Sequence, residues 1–484
     1  MRSRWKCLRA YLPWCLKGGD LTSIYAEMKF YPPRFQIDEN DPFKGALFGR
    51  KDFALALTNL LRHAEENVVI FINAPWGHGK TTFARMWLAH FKNEKQEAIY
   101  YNAYASDYFD DPFVSFSGEI LALVKKRLAE AKGVEVSREA FKRAAINIAK
   151  RLVGVGVKAG VKAASIGLIE PTDLKELKDI AADATKDVSE IAGDVIEKRI
   201  ENYTKEKDTL DVFKENLGKL AKLFREEQGF PLTIIVDELD RCRPDFALGL
   251  LERIKHLFDV ENVAFVLLVN RDQIERYVEK IYGHNPNAAA FLMKFGSVFV
   301  DLPTTSSSGR MQVSGSDEFC DSLNRHFDIH VQGDDGPVVL HLIQICAKHF
   351  ELTLREIEKV FTVLALYYGS GPHQFTDPIW IPILAVLKIK NPKLYMRLSV
   401  RDISVTDFFN TTRLDKLGNL GSYSLDGNYV VRSLRNCLLS QAEYNGLAET
   451  ERLELSQWGW EGSFRLKAVP LFCAALEQFS IKLT

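Results

Sequence analysis

The sequence predicts an α/β fold in which helices cover both faces of a central parallel sheet. Short apolar runs rich in β-branched residues alternate with stretches of helical periodicity, and polar residues follow the runs directly. This is the pattern of repeated strand–helix units. Continuous apolar runs of this kind are typical of strands that are buried on both faces. The predicted strands lie at 67–73, 97–103, the start of 231–258, 262–270 and 296–303.

Composition and charge are those of an ordinary folded chain of 484 residues, which is long enough for two or three domains. The formal net charge is -1, which argues against a strongly basic nucleic-acid-binding surface and leaves only a local basic patch open. The seven cysteines are scattered without a Cys-x-x-Cys pair. A reducing cytoplasm is therefore predicted rather than a disulfide framework or a zinc site. His326 and His330 have ligand-like spacing, but no third ligand lies near them in sequence.

The first helices flank the first two strands. Residues 38–50 are polar and contain turn residues, and apolar residues at helical spacing predict a helix over 51–63. A second helix is predicted over 80–92, directly after the first strand, and a third over 113–130, after the second strand. The order strand, tight turn, helix is the context that a phosphate-binding loop requires.

Such a loop is indicated by the sequence "FINAPWGHGKTTF" at 71–83. Gly77 and Gly79 let the backbone curl, so that its N–H groups at the helix N-terminus face a phosphate. Lys80 places a positive charge on the β- and γ-phosphates, and Thr81 offers its hydroxyl to Mg²⁺. Ala74 replaces the usual leading glycine, which is a mild change at the end of a strand. The predicted nucleotide-binding residues of the loop are Gly77, His78, Gly79, Lys80, Thr81 and Thr82.

A second part of the predicted site follows the third strand. Asp237 and Glu238 end a buried apolar run, and the carboxyl ends of strands are where a doubly wound sheet delivers its ligands. Asp237 is predicted to hold Mg²⁺, usually through water, and Glu238 to polarise the attacking water. The alternative is that both acids only cap the strand end. The upstream loop favours the functional interpretation.

The adenine end is predicted at Phe48, Gly49 and Arg50, because the chain there leads into the strand before the loop. This is the least specific of the site predictions. The Asn-Lys-x-Asp motif that recognises guanine does not occur in the sequence. Its absence favours ATP over GTP as the predicted ligand.

Between the loop and the acidic strand, residues 131–228 are predicted as a helical insertion. Its segment 144–169 is apolar but interrupted by lysine and arginine, whereas 173–226 is charged and carries one apolar helical face. The core then comprises residues 38–130 and 229–303.

The two ends of the chain are predicted to lie outside this core. Residues 304–317 are rich in Ser, Thr and Gly and mark a domain boundary, and 304–484 are predicted as a mainly helical lid or interaction module. Residues 1–37 are predicted as an N-terminal extension. Met28 opens "MKFYPPRFQIDENDPF", which looks more like a native start, and 1–27 form a poor signal peptide. They are either a misplaced start or a small interaction tail.

Several motifs in one order resemble the KAP family of P-loop NTPases. They are "PWGHGKTTF", "YYNAY" with "DDPF", "VDELDRCRPDFALGLLERIKHLFDVENVAFVLLVNRDQI" and "KFGSVFVDLP", and they span about residues 38–303. The resemblance implies an enzyme, an ATPase with ATP and Mg²⁺ as ligands, on a P-loop fold with a parallel sheet, a helical insertion and a C-terminal helical module. Lys80 and Thr81 match the family's phosphate loop, and Asp237 and Glu238 match its acidic strand end.

The resemblance also implies roles for residues outside the phosphate loop and the acidic strand end. Asn270 matches the polar position that orients the γ-phosphate or the water, where an acid often stands. Arg355, in "LTLREIEKVF" at 352–361, matches a lid arginine that approaches the nucleotide. An arginine finger that reaches a neighbouring subunit is a further implication, with a structural salt bridge as the favoured alternative for each candidate. The candidates are Arg241, Arg243 and Arg253.

The family often carries membrane-spanning helices between the loop and the acidic strand, and here 157 positions (237 − 80) separate Lys80 from Asp237. A charge at the bilayer centre costs about 2.5–3.5 kcal/mol on insertion scales, and no run of about 18 uncharged apolar residues occurs. A membrane span is therefore not predicted for residues 144–169. Packing against the core or a partner is favoured, and a helix lying on anionic lipid is the alternative.

The functional prediction is an ATP-driven switch or assembly ATPase. Bacterial KAP proteins recur in anti-phage systems, and "MKFYPPRFQIDENDPF" resembles the group whose operon adds a queuosine-type synthase and a TatD-like nuclease. The implied partners are those subunits, with self-association or a hetero-complex expected. Two alternatives stay open: a membrane-surface nucleotide-binding scaffold and a DNA-stimulated ATPase. No helicase-like motif or basic stripe with interleaved aromatic residues supports a nucleic-acid motor.

Overall fold

The computed structural model describes two compact units, residues 35–312 and residues 1–34 with 313–484, and we describe each by itself. The predicted N-terminal tail 1–27 and most of the predicted insertion, including 144–169, lie outside the described residues. The described residues are 31–33, 36–64, 67–108, 112, 115–120, 211, 213–215, 217–283, 287–308, 311–329, 331, 335–369, 377–416, 427–457, 460 and 462–477.

The unit of residues 35–312 is built on a five-stranded sheet whose paired strands are all parallel. The spatial order of the strands is β2-β3-β4-β1-β5. The predicted parallel α/β fold is confirmed, and each strand falls within its predicted range. The strands are β1 (Val69–Asn73), β2 (Ala98–Asn102), β3 (Leu232–Asp237), β4 (Val263–Val269) and β5 (Val298–Asp301).

The helices of this unit follow the strands. α1 (Arg50–His63) precedes β1, and α2 (Lys80–Asn93) begins at the lysine of the predicted loop. β3 leads through the short 3₁₀ turn Leu239–Arg241 into α3. The remaining helices of the unit are α3 (Pro244–Ile254), α4 (Arg271–Tyr282) and α5 (Ala288–Leu292).

The core lies on both faces of the sheet. Successive residues of a strand point to opposite faces, and Ile234 and Ile235 accordingly belong to two different buried clusters. Every residue of β3 and β4 is buried, which explains why their sequences read as continuous apolar runs. Because the strands are parallel, their carboxyl ends meet at one edge of the sheet. The predicted loop and the predicted acidic residues therefore lie at the same edge.

One helical segment of this core falls within the range that the sequence assigned to the insertion. Residues 217–228 are helical, and Leu217, Ala221 and Phe224 are buried in the same cluster as Ile234 and Phe265. The apolar helical spacing of this segment reflects packing against the sheet. Of the predicted helix 113–130, residues 115–120 are described and are helical.

The other unit is helical over most of its described residues. A two-stranded sheet, β6 (Thr305–Ser308) with β7 (Met311–Ser314), occupies the Ser/Thr/Gly-rich stretch. β6 still belongs to the unit of residues 35–312, which ends within β7. That sheet was not predicted. The helices are α6 (Gly315–Phe327), α7 (Gly336–His349), α8 (Leu354–Gly369), α9 (Trp380–Lys390), α10 (Pro392–Ser399), α11 (Val405–Thr412), α12 (Gly427–Leu438), α13 (Gln441–Asn445), α14 (Glu449–Gln457) and α15 (Phe464–Glu477).

Helix α9 is the centre of this helical unit. Its residues from Trp380 to Leu387 are all buried, so this part of the helix carries no polar face. Asp377 precedes it and accepts hydrogen bonds from the backbone N–H groups of Ile379 and Trp380 and from the indole of Trp460. Across the described ranges, no helix is both long enough and apolar enough to cross a membrane.

A close contact at the edge of the sheet gives a test of the packing. A Cβ on Gly296 would lie 2.5 Å from the Phe71 ring and 2.9 Å from the Phe299 ring, and these two rings stack at 5.0 Å. We expect Gly296→Ala to lower the free energy of unfolding by about 1–3 kcal/mol, as overpacked core substitutions do. Urea unfolding followed by circular dichroism measures this change.

Gly249→Ala is the matched control, because its Cβ would meet only Pro112 at 3.6 Å from within helix α3. Alanine replaces glycine favourably in a helix, by up to about 1 kcal/mol. Equal stability of the two variants would contradict the packing at Gly296.

Candidate functional site

The phosphate loop connects β1 to α2 and is shaped by two left-handed glycines. Gly77 has φ +83° and Gly79 has φ +77°, a conformation that glycine adopts without steric cost. Gly79 is the N-cap of α2 and makes no side-chain cap bond. The first turn of α2, with Lys80, Thr81 and Thr82, therefore presents backbone N–H groups to an anion.

Ala74 stands where a glycine was expected, and its surroundings explain why alanine fits. It is 3% exposed and lies in the cluster on one face of the sheet. Its N–H donates to the carbonyl of Val269 at 3.0 Å, which continues the pairing of β1 with β4. The methyl group is therefore accommodated in the core.

Lys80 is buried at the start of α2. Its Nζ donates to the Ala74 carbonyl at 2.6 Å and lies 3.3 Å from Oδ2 of Asp240. Burial lowers the pKa of Lys80, and the nearby carboxylates of Asp240 and Asp237 oppose that effect. The lysine is thus held in the loop by a carbonyl and a carboxylate, and its contact with phosphate stays a prediction.

Arg50 lies against the loop from α1. Its guanidinium donates to the carbonyl of Gly79 at 3.1 Å and to that of His78, and it lies 4.9 Å from the centre of the Phe48 ring. Burial lowers the pKa of Arg50 to about 10. A Cβ on Gly79 would lie 2.8 Å from the guanidinium. Arg50 therefore orients the loop backbone, and its predicted contact with adenine, like that of Phe48 and Gly49, stays a prediction.

Asp237 ends β3 and is fully buried. The hydroxyl of Tyr100 donates to its Oδ2 at 2.9 Å, and the N–H of Glu238 donates to its Oδ1 at 2.8 Å. Burial raises the pKa of Asp237, and hydrogen bonds from Thr81 and Tyr100 oppose the rise. The carboxylate is consequently fixed beside the first turn of α2, where Thr81 lies.

Glu238 adopts a left-handed backbone conformation, with φ +60°, which is uncommon for a residue with a side chain and costs about 1 kcal/mol or more. Its carboxylate accepts from Asn102 Nδ2 at 3.1 Å and from Thr81 Oγ1 at 3.5 Å, and it pairs with Arg241 at 3.0 Å. Non-glycine residues in this conformation cluster at functional sites. The strain and the three donors fix the direction of the carboxylate.

The residues that were predicted to hold Mg²⁺ fit that ion chemically. The hydroxyl of Thr81 donates to the carboxylate of Glu238 at 3.5 Å and also lies beside that of Asp237. Carboxylate and hydroxyl oxygens are the donors that Mg²⁺ prefers. The donor set of Thr81 and Asp237 therefore suits Mg²⁺.

Asn270 follows β4 and caps α4 with its backbone. Its carbonyl accepts from the N–H groups of Gln273 and Ile274, and its half-buried side chain makes no cap bond. At the end of the neighbouring β1, Asn73 donates to Asp301 at 2.8 Å and accepts from the N–H of Arg271 at 3.0 Å. Asn270 thus lies at the predicted edge of the sheet, and its role in orienting phosphate or water stays a prediction.

The candidate arginine fingers have different surroundings. Arg243 donates three bonds to Asp107, at 2.9–3.1 Å, and Arg241 pairs with Glu238. These are the salt bridges that the sequence analysis favoured. Arg253 is exposed on α3, and Arg355 is exposed on α8 of the helical unit. Nucleotide binding by Arg355 stays a prediction.

Four residues at this site received no role from the sequence: Tyr100 and Asn102 on β2, Trp76 in the loop, and Asp240 after β3. Asn102 pairs in register with Asp237, and that register places β2 beside the acidic strand end. "YYNAY" had been noted only as a family motif, so a signal for two of these residues existed. Trp76 and Asp240 also lie in quoted family motifs, "PWGHGKTTF" and the one that begins "VDELDRCRPDF", but neither residue was given a role there.

Comparison with known proteins identifies the core. The model of the KAP family P-loop domain matches residues 50–362, which is more than half of the chain. Curated proteins give no match. Among solved structures, that of the Aeropyrum pernix ORC2 protein in ADPNP-ADP complexes is 13% identical, covers 90% of this chain and 88% of that chain, and has a TM-score of 0.32. That likeness is too low to carry an argument.

The contacts of Arg50 predict how it supports binding. Arg50→Ala removes both bonds to the loop carbonyls, so we expect it to weaken the binding of ATP by about thirtyfold, from about 1 kcal/mol for each lost bond. Inorganic triphosphate should lose the same factor, because Arg50 acts on the loop and not on the base. Isothermal titration calorimetry measures both affinities.

Lys51→Ala is the control, because Lys51 is the neighbouring exposed cation on α1. It should leave both affinities within twofold. If Arg50→Ala weakened ATP alone, the guanidinium would instead contact the adenine or ribose.

Proposed function

The chain belongs to the KAP family of P-loop NTPases, and from that membership we propose that it binds and hydrolyses ATP as a nucleotide-driven switch. The observation that supports this most strongly is the meeting of four side chains at one edge of the sheet. Lys80 and Thr81 open α2 beside Asp237 and Glu238 at the end of β3, with contacts of 3.5 Å or less joining Thr81 to Glu238 and Tyr100 to Asp237.

The proposed reaction is attack of water on the γ-phosphorus, which breaks its bond to the β,γ-bridging oxygen and releases ADP and phosphate. Lys80 and the N–H groups of α2 bind the phosphates. Glu238 orients the water and accepts its proton. Mg²⁺, held by Thr81 and Asp237, would neutralise charge on the phosphates. Asn270 is proposed to orient the γ-phosphate or the water.

The switch is proposed to act through the elements that end at the site. Helix α4 starts at the residue after Asn270, and Glu238 is bonded to Asn102 and Arg241. A ligand shifts a conformational equilibrium only by its different affinity for the two states. A γ-phosphate that attracts the amide of Asn270, or that contacts Glu238 through the attacking water, would supply this difference, and hydrolysis would remove it.

We also propose a more specific biological role, in bacterial anti-phage defence. It rests on the resemblance of "MKFYPPRFQIDENDPF" and not on the geometry of the site. In that role this chain is the ATPase subunit in the cytoplasm, and a queuosine-type synthase and a nuclease are its proposed partners.

Turnover by the purified chain tests the catalytic proposal. We expect Lys80→Ala and Glu238→Gln each to lower ATP hydrolysis by about 10²-fold or more, since they remove a phosphate-binding charge and the group that activates water. Glu238→Gln should retain ATP binding. Phosphate release measures turnover, with DNA or candidate partner subunits added in separate reactions.

Lys222→Ala and Glu226→Gln serve as controls, because these two exposed side chains pair with each other on the helix 217–228. Both should turn over ATP like the unchanged chain. Tight ATP binding without turnover above the Glu238→Gln background, under every addition, would exclude the hydrolytic switch and leave a nucleotide-binding scaffold.

The defence proposal predicts a cellular effect. Expressed with its operon partners, the unchanged chain should lower phage plating efficiency by about 10²-fold or more, and Glu238→Gln should abolish protection because the switch needs hydrolysis. Plaque counts beside Glu226→Gln measure this. Full protection by Glu238→Gln would show that hydrolysis is not required.

A further inference from the structure

Asp240 is a buried acid that the proposed reaction does not use. It lies in the 3₁₀ turn Leu239–Arg241 and is 1% exposed. Its Oδ2 accepts from the indole of Trp76 in the phosphate loop and lies 3.3 Å from the ammonium of Lys80. One carboxylate oxygen thus contacts two residues of the loop, one of which is the lysine that must bind phosphate.

Asp240 is itself fixed to the fold. The hydroxyl of Tyr277 on α4 donates to its backbone carbonyl at 2.9 Å. Its other carboxylate oxygen, Oδ1, is buried and has no hydrogen-bond donor within the described part of the chain. If Lys80 turned towards a phosphate, Asp240 would stay in place and keep only the indole of Trp76 as a partner.

The electrostatic consequence has a definite sign. A buried carboxylate that loses its cation is strongly unfavourable, and Asp240 would also face the negative phosphates across a short distance. The triphosphate and Asp240 are therefore competitors for the same ammonium. Removing the charge of Asp240 removes both the competition and the repulsion.

We infer that Asp240 restrains nucleotide affinity by holding Lys80 in the nucleotide-free site, so that nucleotide binding has to separate Lys80 from Asp240. This inference rests on the proposed function, since it assumes that Lys80 binds the phosphates. A purely structural role for Asp240 predicts the opposite effect. An acid that only stabilised the loop would favour nucleotide binding, whereas the inferred role opposes it.

Asp240→Asn tests the inference, because asparagine keeps the shape and an oxygen acceptor for Trp76 but lacks the charge. We expect the Kd for ATPγS with Mg²⁺, measured by isothermal titration calorimetry, to fall by about tenfold or more. Asp245→Asn is the matched control, because it removes the same charge from an exposed side chain, 65% accessible, at the start of α3. Its Kd should stay within twofold of the unchanged chain.

Asp240→Ala provides a second variant, which removes the charge together with the acceptor for Trp76. It also ends the competition for Lys80, so the Kd should again fall by about tenfold. Circular dichroism establishes that each variant is folded. If only Asp240→Asn fails to fold, the Asp240→Ala result decides.

The outcomes separate this inference from the proposed function. Tighter binding by Asp240→Asn supports it, provided that Lys80→Ala loses binding. Unchanged or weaker binding by Asp240→Asn, with ATPγS still bound by the parent chain and lost on Lys80→Ala, overturns the inference and leaves the proposed function standing. Absence of binding by both the parent chain and Asp240→Asn overturns both.

Discussion

The parallel pairing of β2, β3 and β4 is the constraint on which the site depends. It places Asn102 in register with Asp237, and it carries the ends of β1 and β4 to the same edge of the sheet. The apolar residues of β3 and β4 are buried on both faces, so the pairing is held by the core, and a shift of one residue would turn their side chains to the other face. The polar residues after each strand are positioned as a result of that packing.

The site concentrates charge in a buried place. Lys80 and Arg50 are almost fully buried cations, and burial lowers the pKa of both. Arg50 is held by loop carbonyls, whereas Lys80 shares the carboxylate of Asp240 with Trp76. A buried cation needs partners of this kind. The free energy of those contacts sets the cost of moving the cation to a ligand. The proposed affinity of the loop for phosphate therefore depends, in our account, on the groups that hold these two cations.

The sequence predicted the sheet, and it marked the residues that the structure brings together at one edge, because both depend on local patterns. Apolar runs marked the five strands, and glycine spacing marked the loop that places Lys80 at the start of α2. Local patterns could not predict the contacts of Arg50 with the loop. These contacts join residues 28 and 29 positions apart, and they form only because α1 packs beside the loop. Tyr100 and Asn102 reach the acidic residues across 137 and 136 positions. Only the strand order, which crosses the predicted insertion, brings them together.

A structure of the chain with Mg²⁺ and a non-hydrolysable ATP analogue would test the central claim most directly. The account predicts that the phosphates lie at the N-terminus of α2, with the ammonium of Lys80 on the β- and γ-phosphates and no longer beside Asp240. Phosphates bound away from α2, or a Lys80 that remains paired with Asp240 while the nucleotide is bound, would contradict it.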